Sequence, residues 1–164
     1  MKYILTLLSF LLLAPVFSET IGTVEYHLPQ VAQEWEIGNV LQSKRGLTLI
    51  YIPKDTQRQN AKEFFGVHEN NFTSNIDDLA SLKAGLTKGY PKMKIDLWIL
   101  ENANNSILYE WAMIENETEK FHGLGRIFST QDGTVLLLYQ TENISDVAKA
   151  RSVWLPILKD AKSK

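Results

Sequence analysis

The sequence contains no cysteine. Its absence excludes disulfides, thiolate metal sites, a cysteine nucleophile and a lipid-bearing cysteine. An excess of one charge sign is missing too: 17 Lys and Arg stand against 19 Asp and Glu, a net −2. Without a basic surplus the chain is not a dedicated nucleic-acid binder. The histidines, His27, His68 and His122, are far apart and have neither His-x-x-x-His nor His-Glu-x-x-His spacing, so no metal and no cofactor is expected. Neither a Gly-x-Ser-x-Gly elbow nor a phosphate-cradling glycine loop occurs. What is present is 45% apolar and 22% charged over 164 residues, the composition of one ordinary globular domain.

The amino-terminal segment differs from the rest. Lys2 supplies a positive start, residues 4–14 are apolar apart from Thr6 and Ser9, and Pro15 ends the run. Val16-Phe17-Ser18 then offers tolerated residues at the −3 and −1 positions of a cleavage site. Residues 1–18 therefore read as a secretory signal peptide. The alternative, a membrane anchor, needs about 20 apolar residues, and no later segment meets that length either. Cleavage after Ser18 leaves 19–164 as a single domain of 146 residues. Lys2 is lost with the leader, so its charge is −3. The expectation is a secreted or periplasmic protein. A chain of about 150 residues buries enough surface to fold without disulfides, and the lack of cysteine suits bacterial export. Four Asn-x-Ser/Thr sites, at Asn71, Asn104, Asn116 and Asn143, read as chance in an Asn-rich chain or as glycosylation acceptors. On either reading they mark surface.

Alternating and apolar runs bounded by turn residues predict strands near 22–28, 35–41, 47–52, 63–68, 94–100, 106–114, 121–130 and 134–141. A first helix is expected from a cap at Ser74 or Asn75. Asp77 and Asp78 lie in its first turn, Ile76, Leu79, Leu82 and Leu86 form its stripe, and Gly89 and Pro91 end it. A last helix starts near Ser145-Asp146 and runs to Ala161, with Pro156 expected to kink it or start a new turn.

The last four strands are joined by short polar turns, which demands an antiparallel meander. Counting from those turns sets Phe128 opposite Leu137, Glu110 opposite Arg126, Trp111 opposite Gly125 and Trp98 opposite Tyr109. One face then holds Ile95, Leu97, Ile99, Leu108, Ala112, Leu124, Phe128, Val135, Leu137 and Tyr139 with Glu110 and Arg126. The other holds Trp98, Tyr109, Trp111, Met113, Ile127, Leu136 and Leu138 with Asp96 and Lys94. Both faces are apolar, so both need cover. The expected fold is α+β, a three-layer α/β/α sandwich with helices on both faces of an antiparallel sheet.

The element order resembles the Mog1/PsbP-like superfamily. An early strand pair and the strand ending Tyr51-Ile52-Pro53 are followed by an amphipathic helix, a meander through Tyr139-Gln140-Thr141, and a terminal helix carrying Trp154. The resemblance spans nearly all of 19–164 and implies a non-enzymatic binding module. It transfers no functional residue, and the signal peptide argues against the role of a nuclear GTPase partner known in that superfamily.

Two groups of residues are the candidate ligand-binding set. Glu110 and Arg126, charged on an apolar face, are expected to pair, because burying either alone costs roughly 3–5 kcal/mol. Tyr139 is expected beside Arg126, and the pair reads as a structural ion pair or the polar floor of a pocket. Gly125 is expected to make room for the Trp111 ring. Lys83, Lys88, Lys92 and Lys94 read as a solvated surface or as a patch for an anionic lipid headgroup or a host protein. The first function is a binding module with an unknown protein or anionic ligand. The alternative is a secreted effector using the lysines, and a small hydrolase is the weakest. A glycosidase needs two carboxylates in one cleft, and Asp96 and Glu110 are expected on opposite faces.

Overall fold

The computed structural model describes residues 18–21, 24–28, 34–71 and 79–163. The leader assigned to 1–18 lies outside the described residues except for Ser18, and so do the helix cap and first turn expected at 74–78. Ten strands and two helices are described: β1 (Ser18–Ile21), β2 (Val24–His27), β3 (Trp35–Ser43), β4 (Gly46–Pro53), β5 (Glu63–Asn70), α1 (Leu79–Gly89), β6 (Lys94–Ala103), β7 (Ser106–Glu115), β8 (Thr118–Thr130), β9 (Gly133–Thr141), α2 (Val147–Asp160) and β10 (Lys162–Ser163). Two antiparallel meanders, β3-β4-β5 and β6-β7-β8-β9, join through the β5–β9 ladder. They form one seven-stranded sheet ordered β3-β4-β5-β9-β8-β7-β6. A small second sheet, β1-β2-β10, ties the two ends of the domain together. The architecture is α+β: a mostly antiparallel sheet with two helices.

One rung crosses the whole large sheet: Ile37, Tyr51, Phe65, Tyr139, Leu124, Glu110, Trp98. Helix α2 lies over the middle of this face. It buries Trp154, Ile157 and Leu158. The Trp154 ring lies parallel to Phe65 at 4.8 Å and to Tyr139 at 4.9 Å, with the Trp35 edge at 5.1 Å. Offset-parallel and edge-on rings are the favoured aromatic geometries. Val24, Tyr26 and Leu28 join the same core cluster from the small sheet. Pro156 does not divide the helix; α2 is one element through it.

The other face holds a second cluster around Trp111, Tyr109, Ile95, Met113 and Ile127, against which Leu86 of α1 and Met93 pack. Its rings lie flat on glycines. A Cβ added at Gly123 would sit 2.3 Å from the Trp111 indole, and one at Gly125 would sit 2.5 Å from the Tyr109 ring. The aromatic-over-glycine contact is present, then, but Trp111 covers Gly123, not Gly125.

That two-residue difference traces to turns and bulges. The β8–β9 turn is Gln131-Asp132, so Phe128 opposes Val135 rather than Leu137. Asn116 and Glu117, both with positive φ, make a two-residue turn in place of the expected five-residue loop. A bulge near Ile114 then restores the face parity of β7 against β8, and Glu110 opposes Leu124. In β6 a bulge between Ile99 and Glu101 moves the pairing by one residue. A one-residue shift inverts every side chain beyond it. Ile95, Leu97 and Ile99 therefore point to the α1 side, while Asp96 and Trp98 join Glu110 on the α2 side, the reverse of the expectation for β6.

Replacing Trp154 removes the ring that seats α2. We expect Trp154→Ala to lower unfolding free energy by roughly 3–5 kcal/mol and Trp154→Phe to lose much less, measured by urea denaturation. Equal losses in both variants contradict the stacking account.

Candidate functional site

Charged side chains on the α2 face are gathered around Glu110. Its Oε1 accepts from His122 Nε2 at 2.8 Å, and Arg151 Nε reaches both its oxygens at 3.2 Å. His122 Nδ1 meets Glu119 Oε1 at 2.7 Å. Strand pairing explains the assembly. His122 stands on the rung next to Glu110, Glu119 lies three residues before it on the same strand, and Arg151 descends from α2 one turn before Leu155. A histidine in reach of a carboxylate is the feature that a hydrolase reading asks for. Here both ring nitrogens are held by carboxylates, so the imidazole is a strut between β7 and β8.

Arg126 is likewise committed. Its Nη1 donates to the Leu158 and Lys159 carbonyls at 3.0 and 2.8 Å, its Nη2 to Glu101 at 3.3 Å and Ser106 Oγ at 3.0 Å, and its Nε to Ser106 Oγ at 3.3 Å. The guanidinium also lies 5.0 Å from the Phe128 ring centroid. Carbonyls in the last turn of a helix lack intrahelical donors and carry the negative end of its dipole. A buried arginine there satisfies both.

The expected Glu110–Arg126 pair is therefore replaced. The two residues share a face, but the register sets Glu110 against Leu124 and Arg126 against Leu108, and α2 supplies Arg151 to one and its carbonyls to the other. Tyr139 does not turn to Arg126; its hydroxyl donates to Glu63 Oε2 at 2.7 Å. Burial, then the Glu63 carboxylate, pushes the Tyr139 phenol pKa far up. Burial alone raises Tyr109 and lowers His68, whose Nδ1 is 3.2 Å from Thr48 Oγ1. Asp96 and Glu110 do share a face, contrary to expectation. Each is held by its own cation, Asp96 by Lys94 at 2.9 Å and Glu110 by Arg151.

The four lysines are exposed along α1, the following turn and the start of β6. Beside them β6, at the sheet edge, exposes three consecutive apolar residues: Trp98 at 48%, Ile99 at 37% and Leu100 at 36%. Residue counting placed Trp98 on the face with Tyr109 and Trp111; the bulge sets it on the Glu110 face, and the edge position leaves it 48% exposed. His122 stood among the candidate histidines without a carboxylate partner, and Arg151 was missed because its partner Glu110 lies 41 residues away on another element. Among the described residues no group of three His, Asp or Glu side chains is arranged to hold a metal, and no helix is long and apolar enough to cross a membrane.

No family model matches this sequence, and no curated protein matches it. Among solved structures, the chain is similar to the solution structure of cyanobacterial PsbP (CyanoP) from Synechocystis sp. PCC 6803. The TM-score is 0.66, with 92% of each chain covered and 10% sequence identity. At that identity the likeness is one of fold: the chain has a PsbP-like fold, as its element order implied.

Arg126→Ala leaves two helix-end carbonyls and Glu101 without their donor. It is expected to cost roughly 3 kcal/mol, read by denaturation, with hydrogen exchange accelerating first in the last turn of α2. Uniform acceleration across the sheet contradicts a local latch. His68, buried with a lowered pKa, binds a proton more readily in the unfolded chain. Its contribution is thus intact above about 6.5 and is lost as pH falls through that value toward the folded pKa. His68→Gln is expected to flatten the urea-midpoint profile between neutral and mildly acid pH; an unchanged profile rejects the assignment.

Proposed function

We propose that the chain is an exported, non-enzymatic binding module of bacterial type that acts through its surface rather than through a reacting pocket. The PsbP-like fold supports the non-enzymatic part. The observation that carries the reading is the exposed run Trp98-Ile99-Leu100. Exposed contiguous apolar residues mark interaction sites, and Trp is enriched where binding energy concentrates. The interior charges Glu110 and Arg126 fasten α2 to the sheet, His122 braces β7 against β8, and all three are engaged within the fold. In this reading the sheet is the middle of an α/β/α sandwich, with α2 on one face and Leu86 of α1 on the other. Export rests on the leader-like 1–18 segment. Cleavage after Ser18 keeps 19–21 in the ladder with β2. A second reading, an effector that uses the lysines on an anionic partner, is favoured by Lys83, Lys88 and Lys92, which have no ion pair among the described residues.

Expressed in full in a Gram-negative host, the chain is expected in the periplasmic fraction with its amino terminus at Glu19; full-length protein in the cytoplasm rejects export. A photo-crosslinking amino acid at position 98 is expected to trap discrete adducts in envelope extracts of the producing cell, and one at exposed Lys44 is not. Identical adduct patterns from the two positions reject the surface.

A further inference from the structure

We propose that the outer side of α1 and β6 is a docking surface for an anionic lipid bilayer, with the lysines at the headgroups and the β6 apolar run in the interface. This deepens the binding-module reading and rests on it. The connection after α1 is short: Tyr90 N–H donates to the Leu86 carbonyl at 3.1 Å, and Met93 N–H to the Tyr90 carbonyl at 3.1 Å. The helix contacts β6 more than any other element. Its 11 residues span about 16 Å, the rise of about five strand residues. The helix and the start of β6 are thereby held together as one edge strip, with Leu86 on the same cluster as Ile95 and Leu97.

Charge and apolarity combine on this strip. Residues 79–95 include four lysines and no carboxylate, and Asp77 and Asp78, which precede them, lie outside the described residues. Lys94 is paired with Asp96; Lys83, Lys88 and Lys92 are exposed and have no ion pair among the described residues. The acids of β6, Asp96 and Glu101, share the α2 side with Trp98, and Lys94 and Arg126 pair with them there. Tyr90, 38% exposed, lies beside the lysines, and Trp98, 48% exposed, stands at the same edge on the α2 side. Lysine stems and amphipathic aromatic rings are the side chains that settle at headgroup level. A bilayer suits this edge better than a partner strand does. The bulge between Ile99 and Glu101 breaks the regular ladder that strand addition needs, while a lipid surface requires no register.

The test uses residues 19–164, which contain every described element but the first residue of β1, and vesicles of phosphatidylcholine with or without phosphatidylglycerol. Sedimentation is expected only with phosphatidylglycerol and is expected to fail in high salt. Tryptophan emission is expected to shift to the blue on binding. The shift is absent in Trp98→Phe, because Trp111 and Trp154 are already buried and Trp35 is packed against Trp154 in the core under α2. The combined variant Lys83→Gln, Lys88→Gln, Lys92→Gln is expected to weaken association on the order of 100-fold, about fivefold per lysine. Circular dichroism verifies its fold. No sedimentation, equal binding to phosphatidylcholine alone, or undiminished binding by the triple variant each overturns the proposal. Binding of an acidic peptide in place of vesicles overturns it in favour of a protein partner. If vesicles fail while position 98 still traps adducts, the binding-module reading survives and only its lipid partner is rejected.

Discussion

Trp154 lies flat across two neighbouring sheet residues, Phe65 and Tyr139. Those residues belong to β5 and β9, the ladder that joins the two meanders. A single helix ring therefore sits on the seam of the sheet. Trp35 closes on it edgewise from β3, and Tyr26 from the small sheet packs on Phe65. The core on this side is thus organised around one side chain that touches residues from distant parts of the sequence. Burial of large aromatic rings contributes more per residue than most other contacts.

With the ring in place, the rest of α2 is aligned by charge. Arg151 meets Glu110 on the side toward the edge strand, and Arg126 meets the carbonyls at the helix end. The Arg126 contacts stabilise only with the helix seated, because a buried charge is stabilising only in satisfied geometry, whereas the half-exposed Arg151 meets Glu110 from the helix surface. Apolar stacking and polar fastening depend on one another in that order. The same rung that supports the ring also supplies Glu110 and then ends at Trp98 in solvent. Core, latch and exposed edge lie along one line across the sheet.

Much of this was legible in the sequence. Strands β4 and β5 follow from alternation and from Pro53, and the helical stripe through Trp154 follows from its spacing. The placing of Glu110 and Arg126 on one face also held, because the bulge and the shortened turn between β7 and β8 together preserve parity. Their partners were not legible. Arg151 lies 41 residues from Glu110, and the carbonyls that Arg126 holds are 32 and 33 residues away. No local spacing encodes such contacts. The face of β6 was misread for a different reason. Its bulge carries no glycine or proline to announce it; the residue between Ile99 and Glu101 is a leucine.

Bulges occur at both edges of the large sheet, between Ile37 and Asn39 in β3 and between Ile99 and Glu101 in β6. Both edges also expose apolar side chains, Ile37, Val40 and Leu41 on one and Trp98, Ile99 and Leu100 on the other. An apolar edge strand invites pairing with another chain, and a bulge is one of the devices that prevents it. The two edges share this protection and differ in charge. Beside β6 lies the lysine stretch of 79–95, with Lys83, Lys88, Lys92 and Lys94; beside β3 the turn carries only Lys44 and Arg45, and Glu36 lies in the strand. An edge that resists strand addition yet keeps an apolar run beside lysines with no ion pair among the described residues is better matched to a surface without register than to another sheet. The bulge that inverted the reading of β6 is thus the same feature that sets Trp98 beside Glu110 and interrupts the ladder at this edge.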